Sequence, residues 1–430
     1  MLDPALIVAV IVFIALAVYT LTGGADFGGG VWDAFASGPR KSAQRALISK
    51  AIGPIWEANH VWLILVVVLL FVCFPPAFAA ISTALHIPLT LMLIGVVLRG
   101  SAFIFRAYDP DGTADGDHPW GVVFAVSSII TPIMLGVVLG AVVSGDLPIN
   151  PDNGLVVTDF VSAWLAPFPI LVGFTNLALS SLLAAVYLVH EARGNAELQA
   201  DFRKRALIAG VATGAAALST LIAASSGAPL LWDALVASSW AMPFQLLTGT
   251  VALSGLGALM MRKDDLARVL VMVLVVAVVT GLGLGMLPWI VPPDLTFTAA
   301  ACPPLRAVAG AGGLGTGQLL VGAGVCVALC ALQGQCPGRD ERLTGNHRIP
   351  PPLRLGLGHL FNRVSHVPVV AEGVHKLRGP LPVELVHRPH RDRRSRRFGP
   401  RHQRIAVVDM QVHRHARVAG RRLDAHLWVL

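Results

Sequence analysis

The sequence predicts an all-α fold: a polytopic transmembrane helix bundle with eight clear spans, a weaker ninth, and the N-terminus outside. Three observations carry this reading. Of 430 residues, 55% are hydrophobic and only 13% charged, against roughly 25% charged in a soluble domain; mean hydropathy is +0.68. The apolar residues come in runs that reach the ~20 residues a helix needs to cross hydrocarbon. The Lys and Arg residues between those runs fall only in alternate connections.

The runs predict spans at 5–22, 52–73, 77–104, 121–143, 165–189, 205–226, 241–261 and 268–290, with the weaker ninth at 308–333. The first, Leu6 to Leu21, follows an acidic residue and lacks a basic leader, so it reads as a retained span and not a cleaved signal. Pro75-Pro76 separates the second from the third, because proline supplies no helical donor. No internal repeat is visible.

Connections 23–51, 105–120, 190–204 and 262–267 hold Arg40, Lys41, Arg45, Lys50, Arg106, Arg193, Arg203, Lys204, Arg262 and Lys263, with Arg205 and Arg268 at span edges. Connections 74–76, 144–164, 227–240 and 291–301 hold no Lys or Arg. By the positive-inside rule, the first set is cytoplasmic.

Net charge divides the chain. Residues 1–301 hold 13 Lys+Arg against 18 Asp+Glu, and residues 302–430 hold 20 against 7. The basic character thus belongs to the last third and gives no sign of a nucleic-acid partner for the membrane part. The five Cys residues show neither a C-x-x-C pair nor zinc spacing. Cys326 and Cys330 read as small apolar filler. No metal site is expected.

Chemistry concentrates where the second span opens: Gly53-Pro54-Ile55-Trp56-Glu57-Ala58-Asn59-His60-Val61-Trp62. Glu57 and His60 share one helix face, Trp56 and Asn59 a neighbouring one. A carboxylate about one turn inside the membrane is desolvated, which suits it to take and release protons near neutral pH; the alternative is a helix N-terminal charge or a pair with His60. The Gly-rich stretch Thr22 to Trp32, read as ending the first span, admits a helix or ligand close to its backbone. Its Asp26 extends the acidic path or marks a plain helix terminus. Arg99, inside the third span, costs about 3 kcal/mol at membrane depth unless paired, or snorkels to the surface. His60, His86, His118 and His190 each carry an imidazole of the kind that ligates haem, but none shows a spacing that requires haem. The loop Asp109, Asp111, Asp115, Asp117 lacks the order of a calcium loop.

The strings GGADFGGGVW (23–32), GPIWEANHVWLI (53–64), LRGSAFIFRAYD (98–109) and LPWIVPPDLT (287–296) resemble signature stretches of subunit II of cytochrome bd-type quinol oxidases, the cyanide-insensitive branch included, over residues 1–301. The resemblance implies a nine-helix subunit in the bacterial inner membrane, in a heterodimer with a homologous subunit I that holds haem b, haem d and the quinol site. An accessory single-span subunit, membrane lipid and a bound quinone are further implied partners. It implies oxidation of quinol and reduction of dioxygen to water with protons drawn from inside. It places Glu57, Asp26 and His60 on the proton route. Trp56, Asn59, Trp62, Arg99 and Arg106 become quinone-site or subunit-interface positions. A proton-coupled secondary transporter and a purely structural membrane partner are the competing readings; the absence of repeats speaks against the transporter.

The chain departs from this pattern after Ala301. Residues 302–336 cover the weak ninth span, and 337–430 form an Arg/His/Pro-rich tail with ten His and a single Lys, Lys376. That composition predicts either translation out of frame from a GC-rich gene, beginning near 300–335, or a basic tail on anionic lipid. Both predict disorder.

Overall fold

The computed structural model describes residues 3–53, 56–107, 119–150, 156–157, 159–303 and 305, with the backbone alone at 56, 57 and 107. The expected ninth span, the basic tail, the Asp109–Asp117 loop, His118 and the side chains of Trp56 and Glu57 lie outside the described residues.

Helix α1, Pro4–Ala34, opens on Asp3, whose carboxylate accepts the Ala5 N–H at 2.8 Å, with proline in the first turn. An amphipathic α2, Lys41–Ile52, precedes α3, Trp56–Cys73. Then come α4, Pro75–Ala84; α5, His86–Ala107; and α6, Pro119–Ser144. They are followed by α7, Pro167–Glu191, and α8, Ala196–Gly227, the latter capped by the Asn195 side chain on the Leu198 N–H. A short α9, Pro229–Trp232, runs into a π turn at Asp233–Ala237. Helices α10, Ala241–Met260, and α11, Asp264–Met286, complete the long elements. An antiparallel hairpin of β1, Trp289–Val291, and β2, Leu295–Thr296, leads into α12, Phe297–Ala300.

Among the described residues, seven helices are long and apolar enough to cross a membrane, or up to eight if the bent pair α3–α4 forms one span. Helix α1 packs on α3, α6, α7 and α11, and α7 packs on α6 and α8, so α1 and α7 are the centre around which the others stand. Two apolar clusters close the ends. One joins the start of α1 to Phe74, Phe168 and Phe297. The other, at the end rich in Lys and Arg, joins Trp32, Ile48, Phe124 and Phe202.

Three expectations are corrected. The first span does not end at residue 22; the Gly-rich stretch stays helical to Ala34. The reason is packing: a Cβ on Gly28 would sit 2.0 Å from the Ser180 carbonyl oxygen of α7, and one on Gly30 would sit 2.1 Å from Ser128 Oγ of α6. Glycine is used here for close helix approach, which outweighs its low helix propensity. The expected span 77–104 is two helices, broken at Leu85; α4 is bent 117° from α3 across Phe74. Helix α8 begins nine residues before the expected 205, at Ala196, because its first turns carry charges that meet partners beyond the apolar layer.

Those partners form a belt at the basic end. Arg40 Nη2 lies 2.7 Å from Asp201 Oδ1, and Arg203 Nη2 lies 2.8 Å from Asp264 Oδ2. Asp265 meets both Arg193 and His190. Hydrogen bonding to Asp201 raises the Arg40 pKa above its ordinary value.

Candidate functional site

Asp26 lies within α1, two turns before the helix ends, and is fully buried. A lone carboxylate at that depth is costly, and its neighbours answer the cost. The Arg99 guanidinium of α5 forks onto it: Nη2 meets Oδ1 at 2.6 Å and Nη1 meets Oδ2 at 2.7 Å. A further Nη2 hydrogen bond reaches the Asp26 carbonyl at 2.9 Å, and Nε donates to Ser128 Oγ of α6 at 3.1 Å. Four of the five guanidinium donors are thereby used. Asn59 Nδ2 of α3 adds a hydrogen bond to Asp26 Oδ2 at 2.8 Å. The Phe27 and Phe124 rings stand 5.1 and 5.0 Å from Arg99 Cζ, a cation–π setting. Side-chain exposure is 3% for Arg99 and 0% for Asp26, so Arg99 pairs and does not snorkel.

A second pair repeats the first. Asp33 of α1 accepts from Arg106 of α5 at 3.0 and 3.3 Å, and Arg106 Cζ stands 5.1 Å from the Phe124 ring. Asp26 and Asp33 are seven residues apart, as are Arg99 and Arg106. The matched spacing makes a two-rung ladder of about 10 Å between parallel helix faces. Asp33 was missed by sequence reading. The equal D-x6-D and R-x6-R spacings, 73 positions apart, were the available signal.

Of the other candidates, the Glu57 backbone lies in the first turn of α3, two residues before Asn59 and three before His60. His60 is half-buried and close enough to feel the charges of Asp26 and Arg99. Trp62 is half-buried two residues further on. Elsewhere, His86 Nδ1 hydrogen-bonds with the Thr83 carbonyl at 3.1 Å, and its ring packs edge-on to Phe160. Among the described residues, no group of three His, Cys, Asp or Glu could hold a metal ion. The structure joins Asp26, Asn59 and Arg99 in one buried polar cluster, with half-buried His60 next to Asn59 on α3 and Arg106 a second rung beside it. What this arrangement can do chemically is hold a charged carboxylate, with polar neighbours, inside an otherwise apolar bundle.

The family model for cytochrome bd terminal oxidase subunit II matches residues 4–330. The chain belongs to that family. As a cytochrome bd subunit II it is a multi-pass membrane protein. It is 27% identical over 205 residues to cytochrome bd-I ubiquinol oxidase subunit 2 of Escherichia coli (strain K12), 47% of this chain and 52% of the relative. It is 30% identical over 148 residues to cytochrome bd ubiquinol oxidase subunit 2 of Bacillus subtilis (strain 168), 33% of this chain and 41% of the relative. The chain thus spans about half the length of these curated relatives. A chain in the structure of bd oxidase from Geobacillus thermodenitrificans superposes with a TM-score of 0.61, covering 77% of this chain and 96% of that one at 17% identity. That likeness shows a shared bd oxidase fold. The family match runs past Ala301, the end of the resemblance read from the sequence.

Proposed function

We propose that this subunit II works in a respiratory quinol:oxygen oxidoreductase, stabilising a haem-bearing subunit I and helping deliver cytoplasmic protons for reduction of oxygen to water. The observation that carries the proton role is the Asp26–Arg99 pair with Asn59: a carboxylate kept at membrane depth and hydrogen-bonded to Asn59, two residues along α3 from Glu57. Intramembrane charges of this kind mark ion and proton pathways. The alternation of Lys and Arg supports an N-terminus outside, a cytoplasmic basic end and eight spans in the bacterial inner membrane.

In this reading Glu57 takes up the proton, His60 and Asp26 receive it, and Arg99 holds Asp26 in place. Haem b and haem d belong to the partner subunit, where they supply the redox chemistry. Trp56, Trp62 and Arg106 flank the route as interface or quinone-contacting positions. An accessory single-span subunit and lipid complete the assembly. Quinol-driven oxygen uptake by a Glu57→Gln variant tests the role: uptake slows at unchanged haem content if Glu57 conducts protons. Unchanged uptake would reduce the subunit to a structural partner.

A further inference from the structure

Four buried side-chain atoms among the described residues lack a hydrogen-bond partner: Tyr19 Oη, Asn59 Oδ1, His60 Nδ1 and Arg205 Nη1. Arg205 stands apart, at the basic end over Trp32 and Phe202. Of the other three, Asn59 is bonded to Asp26 itself, His60 follows it on α3, and Tyr19 lies seven residues before Asp26 on α1. Asn59 is bonded to Asp26 through its amide nitrogen, which leaves its carbonyl oxygen turned elsewhere. Tyr19 and His60 each lie within electrostatic reach of both Asp26 and Arg99.

Tyr19 precedes Asp26 by seven residues on α1, so the two share a face about 10 Å apart along the axis. Its ring lies along Gly23, where a Cβ would come 3.2 Å from ring Cε2. The ring therefore lies down the helix toward Asp26, closing part of that distance. Tyr19 is 4% exposed and Asn59 0%, so bulk water reaches neither group. A hydroxyl, an amide oxygen and an imidazole nitrogen left without partners in hydrocarbon each carry a desolvation cost. Three such groups beside one ion pair offer the two to four polar partners that a buried water requires.

We infer that Tyr19, Asn59 and His60 form a binding site for internal water against the Asp26–Arg99 pair, with Tyr19 as its deepest wall. The tyrosine hydroxyl donates to or accepts from the water, the Asn59 oxygen accepts, and the His60 nitrogen takes whichever role its tautomer leaves. The site extends the polar region from Asp26 toward the middle of the membrane. Tyr19 is a positioning residue that holds water where a proton leaving Asp26 can pass. This last role rests on the proton-delivery reading above; the water site does not.

The test is a high-resolution cryo-EM map of the purified complex, for wild type and for Tyr19→Phe, with the solvent deuterium isotope effect on oxygen uptake. The expected result is water density within hydrogen-bond distance of Asn59 Oδ1 and Tyr19 Oη in wild type, lost in Tyr19→Phe. Turnover of that variant falls several-fold and its isotope effect rises, at equal haem content. A dry pocket in a wild-type map that resolves other buried waters overturns the site, whether or not the variant folds. Density lost from Tyr19→Phe with turnover and isotope effect unchanged overturns the positioning role and leaves the site. Loss of activity in Glu57→Gln but not Tyr19→Phe separates failure of this role from failure of the proton reading itself.

Discussion

The guanidinium groups of Arg99 and Arg106 stand over the same ring, that of Phe124, at 5.0 and 5.1 Å. One aromatic side chain from α6 thus serves both rungs of the ladder between α1 and α5. The rungs differ in solvent: Arg99 is buried, whereas the Arg106 side chain is 24% exposed. Their response to mutation should differ accordingly.

Breaking the inner rung alone leaves an uncompensated buried charge. Arg99→Met is expected to destabilise the protein by about 3–5 kcal/mol. The double variant Asp26→Leu/Arg99→Met should recover much of that loss, because neither charge remains. Thermal unfolding in detergent across the double-mutant cycle measures the coupling, and equal losses in single and double variants would contradict it.

On the outer rung solvent reaches Arg106, whereas Asp33 is 4% exposed, so screening is only partial. Arg106→Met should cost less than Arg99→Met, about 1–3 kcal/mol, because it leaves the Asp33 carboxylate short of a donor. The gap between wild type and variant should narrow in high salt. A large, salt-independent loss would mean that Arg106 is held by more than Asp33.

Gly28 and Gly214 provide opposite signs for one substitution. Gly28→Ala forces a methyl to 2.0 Å from the Ser180 carbonyl oxygen and should cost about 1–3 kcal/mol through overpacking. Gly214, in α8, has nothing within 4 Å of the added Cβ. Gly214→Ala should stabilise by about 0.5–1 kcal/mol, because alanine is the better helix former. Melting temperatures of the two variants decide this directly.

The sequence made the bundle legible because an apolar run of membrane-spanning length is itself the signal. Pro75-Pro76 announced the bend after Cys73. The continuation of α1 through Gly23–Gly30 was not legible, since glycine is a poor helix former and its partner surface on α7 lies some 150 positions away. The break at Leu85 had a signal in Pro88, which stands in the first turn of α5, where a missing donor is tolerated. At the site, Asp26 and Arg99 were each suspect as membrane charges, yet their union depends on a contact between residues 73 apart that no local periodicity encodes. Asn59 was read as a cofactor or interface position; the structure ties it to Asp26. The Glu57 side chain lies beyond what the structure describes, so its role rests on its place in α3.

The composition after residue 336 carries a prediction about the gene. If the tail is translated out of frame, resequencing should reveal the shift, and restoring the frame should replace the Arg/His/Pro-rich segment. A verified frame, with an intact mass matching all 430 residues, would establish a genuine basic tail.

The central claim is that this chain assembles with a haem-bearing partner. Tagging its N-terminus, purifying it from bacterial membranes in mild detergent and recording the bound-haem spectrum with quinol-driven oxygen uptake tests that claim most directly. The account predicts a second subunit, haem b and haem d bands, and oxygen uptake. A colourless, inactive polypeptide recovered alone, even after the reading frame is restored, would contradict it.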